Sequence, residues 1–275
     1  MKYLKPLAIF LILLAICGYY HRHPTDDDAW FAEQSYWLLK VGYIKSEFFR
    51  GFLDWNNHYF LSHKLFIVLG AGLQYLLPLS PYTSKLSGLL FFFILVALLL
   101  FYQLKNHPQL NSWLLLTLVF SNTLLVRMSF ENRPELMVTT LGFASFLLIY
   151  KDPNYLKSAL AACLGSLAAL SHLNGVIYLV AGFVLLFYYK NYRSLLIFST
   201  LSFIFLAFYF YDIWQFNGFT AWQHQFSNDP ATRDSLGLIN KLKVMASYPY
   251  LFFESPEQAA LSLLLLALGW YCRAF

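Results

Sequence analysis

The sequence predicts an all-α membrane protein, with residues 1–275 forming one domain that crosses the bilayer about eight times. Composition indicates this class, because 59% of the residues are hydrophobic and only 12% are charged. A soluble domain is nearer to about half apolar and about a quarter charged. The mean hydropathy of +0.54 and the gathering of apolar residues into long runs agree with it.

The candidate spans are apolar runs, several of which approach the roughly 20 residues that cross the hydrocarbon of a bilayer. The first run follows Lys2 and Lys5 and lacks a small-residue cleavage site, so we interpret it as an uncleaved anchor rather than a signal peptide. In chain order the runs are 6–20, 84–102, 112–130, 134–150, 156–171, 174–189, 194–212 and 258–272.

A ninth apolar run, Leu65–Leu79, is interrupted by Gly70, Gly72, Gln74 and Pro78. Its length and polarity favour a re-entrant or interfacial helix over a span. Whether this run crosses the membrane decides the orientation of every later segment.

The distribution of cations favours a topology in which Leu65–Leu79 does not cross the membrane. With a cytoplasmic N-terminus, every cytoplasmic connection then carries at least one cation, as the positive-inside rule requires. All the acids except Asp152 fall outside, and the outer loops are 21–83 and 213–257. We therefore expect an integral protein of the plasma membrane (in bacteria, the inner membrane) whose functional face is periplasmic or external. The cytoplasmic cations are Lys2, Lys5, Lys105, Lys151, Lys157, Lys190, Arg193 and Arg273.

Charge and cysteine content exclude other classes of partner and site. The net charge of +5 includes no basic run, so we expect no nucleic-acid partner. Cys17, Cys163 and Cys272 lie inside apolar runs without metal-ligand spacing, which is typical of packing residues.

Three consecutive carboxylates, Asp26, Asp27 and Asp28, follow the first span and open a helix with an apolar stripe that includes Trp30 and Phe31. Thr25 or Asp26 can cap this helix, and acids in its first turn are favoured by the helix dipole. Capping needs only one acid, however, and three beside a membrane indicate a functional role. The stripe predicts a helix that lies along the membrane interface.

Two further polar clusters fall on the same outer face. The first, SFENRPE, brings Arg133 and Glu131 close to Arg127, which lies near the end of a span where ionisable residues are functional candidates. A structural ion pair of Arg133 with Glu131 or Glu135 at the lipid boundary is the alternative. The second, SHLNG, contributes His172 and Asn174, although a lone histidine at a helix end is more often structural. Cations at this depth suit a lipid phosphate, and a carboxylate suits a hydroxyl acceptor.

These residues resemble the GT-C type glycosyltransferases of the protein O-mannosyltransferase and aminoarabinose transferase superfamily (glycosyltransferase family 39-like). PTDDDAWF is similar to the family's acidic pair after the first span and aligns Asp27 and Asp28 with it. Lys85 in PYTSKLSGLL resembles a basic residue that opens the next span, and Lys64 in NHYFLSHK resembles a phosphate-contacting lysine. RMSFENRPELM is similar, with different spacing, to an arginine-containing stretch before a later span.

The resemblance implies an inverting transferase that takes a sugar from a polyprenyl-phosphate donor to a hydroxyl of a glycan, lipid or protein. It assigns the base to Asp27 and the positioning of the acceptor, or of a loop cation, to Asp28, which leaves Asp26 for the helix N-terminus. Arginine or lysine would hold the departing phosphate. A divalent cation at the three carboxylates is an open alternative to a site without cofactor.

Other readings of the sequence stay open. The chain is short for the family, and a truncated C-terminus or an inactive homologue would explain the absence of the family's further spans or soluble domain. A transporter or flippase would use the acids for ion coupling, but such proteins usually place charges near the bilayer midplane in repeated halves.

Overall fold

The computed structural model describes residues 3–229 together with Ala260, Leu263 and Leu264. Every regular element in this part of the chain is helical and none is a strand, which confirms the all-α prediction. Most of the predicted run 258–272 and the loop from 230 to 257 lie outside the described residues. Contacts group the residues up to Trp222 into one compact unit, and Gln223 belongs to a second.

Twelve α-helices and two short 3-10 helices make up the described chain. The 3-10 helices are Leu173–Gly175 and Phe208–Phe210. The α-helices are α1 Leu4–His21, α2 Asp26–Val41, α3 Lys64–Leu76, α4 Pro81–Asn106, α5 Ser112–Ser121, α6 Thr123–Met128, α7 Glu135–Ile149, α8 Tyr155–Ser171, α9 Val176–Tyr188, α10 Tyr192–Ala207, α11 Tyr211–Gln215 and α12 Phe219–Asn228.

Three helical segments in the described residues are long and apolar enough to cross a membrane: Leu4–His21, Pro81–Asn106 and Tyr192–Gln215. They support the prediction of a membrane protein. The other apolar helices are shorter, between 10 and 17 residues, so the count of about eight spans stays a prediction.

The predicted run 112–130 is divided at Asn122 into α5 and α6. The Asn122 side chain accepts a hydrogen bond from the Leu125 N–H at 3.1 Å and so caps a new helix inside the apolar run. After α6 the chain turns through residues 129–134 before α7 begins. This turn contains residues 131–134 (ENRP), which belong to the candidate site described below.

Small residues bring the later helices close together. The Ser145 hydroxyl on α7 donates to the Ala161 carbonyl on α8 at 2.7 Å. Ala161 and Ala162 are fully buried with Phe198 of α10. A side chain on Gly182 would lie 2.6 Å from the Phe198 ring, so glycine is required for this contact. Helix interfaces formed by small residues are typical of packing in membranes.

The segment between α1 and α4 contains α2 and α3, which lie against each other. The Ser35 hydroxyl of α2 donates to the Ile67 carbonyl at 3.2 Å, and Gly70 leaves room for it. The predicted stripe of α2 packs on protein rather than on a free surface, since Phe31 is buried edge-on against Phe66. At about 1.5 Å per residue, the 13 residues of α3 cover about 20 Å, less than the hydrocarbon thickness.

Candidate functional site

The α2 N-terminus is held by Thr25 and Asp28 together. Thr25 is the N-cap, as one of the two sequence alternatives proposed, and the Asp28 carboxylate reaches back to the Thr25 N–H at 2.7 Å. This is a capping box, in which the acid sits at the third helical position. Asp26, which was predicted to serve the helix N-terminus, lies in the first turn but is neither the N-cap nor part of the capping box.

Asp28 also anchors the turn between α6 and α7. Its side chain is 1% exposed, and its second oxygen accepts a hydrogen bond from the Asn132 N–H. The Asn132 side chain donates to the Asp28 carbonyl at 3.2 Å and accepts from the Ser87 hydroxyl at 3.1 Å. Asp28 thus has structural partners on both oxygens, in place of the acceptor that the resemblance implies for it.

Asp27 has different surroundings. Its side chain is 46% exposed, and Oδ2 lies 3.4 Å from Nη1 of Arg133. Asp26 is exposed at the start of the helix. Among the three aspartates, Asp27 is therefore the one that is both accessible and paired with a cation.

Arg133 connects Asp27 to two further acids. Nη2 of Arg133 lies 2.7 Å from Glu135, and Nη1 lies 3.9 Å from Glu131. Although partial burial opposes the charge, Glu135, Asp27 and Glu131 together raise the pKa of Arg133 above its usual value. The guanidinium is fixed as a cation beside Asp27.

Glu131 is the buried centre of the cluster. It is 1% exposed, and its Oε1 accepts from Arg22 at 2.7 Å and from Arg127 at 3.1 Å. The 129–134 turn packs closely against α4 at Gly88, because a Cβ there would lie 2.6 Å from the Glu131 carbonyl oxygen. Lys85, also buried, donates to the Arg22 carbonyl. We define Arg22, Asp27, Lys85, Arg127, Glu131, Arg133 and Glu135 as the ion cluster.

Lys64 lies in a separate group. Its ammonium donates to the Tyr209 carbonyl, pairs with Asp212 and lies 4.2 Å from the centre of the Tyr209 ring. These contacts join the start of α3 to the end of the α10–α11 segment. The structure therefore does not bring Lys64 into the ion cluster.

His172 and His63 stack beside Arg133. Their ring centres are 4.5 Å apart with planes at 24°, and His172 Nδ1 accepts from the Asn174 backbone N–H at 3.0 Å. Burial, then His172 and Arg133, lower the pKa of His63 to about 3. Burial also lowers the pKa of His172, with Glu135 opposing and Arg133 adding to the shift. Asn174 itself is exposed at the surface.

The ion pair of Arg133 with Glu135 was predicted, whereas Arg22 and His63 were not among the residues predicted for the site. Arg22 carried one usable signal, since it is a cation directly after α1, on the side that the predicted topology makes external.

Unused hydrogen-bonding capacity remains within the ion cluster. Four of its buried atoms have no hydrogen-bond partner in the described residues: Nη1 of Arg22, Oε2 of Glu131, Nε of Arg133 and Oε2 of Glu135. Buried polar atoms normally have partners, so a polar ligand or water suits this place. No group of three metal-ligating side chains occurs within the described part of the chain. The three adjacent aspartates do not form such a group, because Asp28 is directed into its cap.

The fold and the cluster define an α-helical membrane protein with a partly open ionic site beside its spans. No protein-family model matches the chain, and no curated protein or solved structure is significantly similar to it.

Proposed function

We propose that the protein transfers a sugar from a polyprenyl-phosphate donor to an acceptor hydroxyl on the non-cytoplasmic side of a bacterial plasma membrane, with inversion. The observation that carries the proposal is the pairing of the accessible Asp27 carboxylate with Arg133, next to buried Glu131. A general base and cations for a departing phosphate are then neighbours. The likeness of PTDDDAWF to the GT-C acidic pair gives the proposal its reaction class.

In the proposed reaction the acceptor oxygen attacks the anomeric carbon of the donor sugar. Asp27 takes the proton of the hydroxyl as the new bond forms. The bond from the anomeric carbon to the phosphate oxygen breaks, and polyprenyl phosphate leaves with the electron pair. The arginines of the ion cluster stabilise the charge that develops on this phosphate, and no general acid is needed because a phosphate is already a good leaving group.

The activity is tested with purified full-length protein in lipid nanodiscs and a panel of polyprenyl-phosphate sugars. We expect release of polyprenyl phosphate with at least one sugar in the presence of acceptor extracts, and loss of release in Asp27→Asn. Asp152→Asn, which changes an exposed acid between α7 and α8, is the matched control and should release at the wild-type rate. Movement of an intact donor between leaflets without release would instead identify a flippase.

A further inference from the structure

A pocket between α4, α7 and α8 lies at the opposite end of α4 from the ion cluster. Its volume is about 580 Å³, within the range of about 300–1,000 Å³ that is usual for ligand sites. Lys85 of the ion cluster and Lys105 of the pocket belong to the same helix. At about 1.5 Å per residue they are about 30 Å apart along its axis, which is also the thickness of the hydrocarbon core. The pocket is therefore a separate place near the other surface of the membrane.

The lining of the pocket follows one pattern on all three helices. The lining positions 98, 101, 102 and 105 on α4 have the spacing of one helix face, and so do positions 144, 147, 148 and 151 in and just after α7. Both sets are mainly apolar and finish with a lysine, Lys105 and Lys151. From α8 the pocket receives Lys157 in the first turn and Leu164 two turns later. Three lysines thus surround one end of an apolar cavity.

Positive charge exceeds negative charge at this end of the pocket. Asp152 is the one acid among the lining residues, and it pairs with Lys157 at 2.8 Å. The Lys151 ammonium donates to the side-chain oxygen of Asn106 at 3.2 Å, which is a neutral partner. The Lys105 ammonium lies 5.8 Å from the centre of its nearest ring, that of a phenylalanine on α4. Neither Lys105 nor Lys151 has a carboxylate partner within the part of the chain that the structure describes.

Two general rules explain these lysines incompletely. The positive-inside rule accounts for cations on this side, which the predicted topology makes cytoplasmic, but not for their arrangement around a cavity. The helix dipole favours Lys105 in the last turn of α4 and disfavours Lys157 in the first turn of α8. An anion bound at the pocket accounts for the common position of all three.

We propose that this pocket binds a membrane lipid with an anionic phosphate head group. One hydrocarbon chain of the lipid lies between the apolar faces of α4 and α7, and Lys105 and Lys151 bind the phosphate. The apolar walls favour a lipid over a soluble anion, because α4 is a candidate span and its pocket face continues from the lysine towards the hydrocarbon. Basic pockets between membrane helices on the cytoplasmic side are known to bind anionic head groups. The inference does not depend on sugar transfer, since no residue of the ion cluster lines the pocket.

The test measures the Kd of radiolabelled phosphatidylglycerol for the purified full-length protein in neutral detergent micelles. Lys105→Gln and Lys151→Gln should each raise the Kd about fivefold, and the double variant about thirtyfold. Both side chains are exposed, so these variants should fold normally. The matched control combines Lys5→Gln with Arg193→Gln, which removes two exposed cations that are predicted on the same side and lie outside the pocket. This control should bind like the wild type.

A second pair of variants tests the apolar walls. Leu98→Trp places a large ring in the pocket and should raise the Kd. Leu104→Trp is the matched control, because Leu104 lies on the same helix, is 57% exposed and does not line the pocket. Two competitors separate the parts of the ligand: phosphatidylcholine with the same chains has no net charge, and glycerol phosphate has no chains. Both should compete much more weakly than unlabelled phosphatidylglycerol.

Several results would overturn the inference. Equal competition by phosphatidylcholine would show that the lysines contribute nothing, and equal competition by glycerol phosphate would identify a site for a free anion. An equal loss of binding in the control without Lys5 and Arg193 would reduce the lysines to part of a general positive surface. Wild-type affinity in both Leu98→Trp and the double lysine variant would place the lipid elsewhere. A wild-type protein that does not bind phosphatidylglycerol would refute the site itself.

Discussion

Replacing each of the three adjacent aspartates by asparagine separates catalysis from folding, because their surroundings differ. Asp27→Asn keeps the shape of the side chain and removes its basicity. Loss of a general base usually lowers the rate by about 10²–10⁴. The fold should be little affected, since a half-exposed pair such as Asp27 with Arg133 stabilises by at most about 1 kcal/mol.

Asp28→Asn should have the opposite profile. In the native protein one Asp28 oxygen accepts from Thr25 and the other from Asn132, and both lie in a buried place. An asparagine amide turns one of these acceptors into a donor that faces an N–H group. The unsatisfied donors cost about 1–3 kcal/mol of stability, and the 129–134 turn that carries Glu131 and Arg133 loosens.

The assay pairs turnover, measured as released polyprenyl phosphate, with the unfolding midpoint of each variant in detergent. Asp26→Asn is the control, because Asp26 is exposed and lies outside the capping box. A stable but inactive Asp28→Asn together with a fully active Asp27→Asn would refute the reasoning and assign the base to Asp28. If all three variants turn over normally, the acids are only a helix start.

Three other expectations concern topology, pH and packing. Asn174→Cys in a cysteine-free background should react with an impermeant maleimide from outside and Asp152→Cys should not; the reverse would mean that Leu65–Leu79 crosses. Because the pKa of His63 falls from 6.5 unfolded to about 3 folded, stability should decline by up to about 1.4 kcal/mol per pH unit as the pH drops from 6.5 towards 3. A His63→Phe protein should lose that part of the decline in denaturant titrations, and an unchanged slope would contradict a neutral, partly buried His63. Gly88→Ala, whose Cβ would meet the Glu131 carbonyl, should cost about 1–3 kcal/mol, whereas Gly72→Ala, inside α3 and with no atom near its Cβ, should be at least as stable as the wild type, by up to about 1 kcal/mol.

Local features of the site could be predicted from the sequence. Thr25 followed by acids is a recognisable helix start, and the structure begins α2 there. Both Asp27 and Arg133 were candidates because charges beside apolar runs are unusual, and the structure pairs them. The all-helical class followed from composition, which depends on no long-range contact.

Long-range partners could not be predicted in this way. Arg22 and Glu131 are 109 residues apart, and Lys64 and Asp212 are 148 apart. Such pairs are determined by how the helices pack, which a single sequence does not reveal. The break at Asn122 was missed for a related reason, since an apolar run of suitable length hides one capping side chain.

The ion cluster is better explained by binding and chemistry than by stability. Removing an ion from water costs several kcal/mol, and a buried ion pair often stabilises no more than apolar residues of the same volume. Glu131 is buried with two arginines on one oxygen and leaves its other oxygen without a hydrogen bond in the described structure. What this arrangement provides is a fixed direction for the guanidinium groups of Arg22 and Arg127. Cations held in place before the ligand arrives stabilise the charge of a leaving phosphate without reorganising, as the proposed transfer requires.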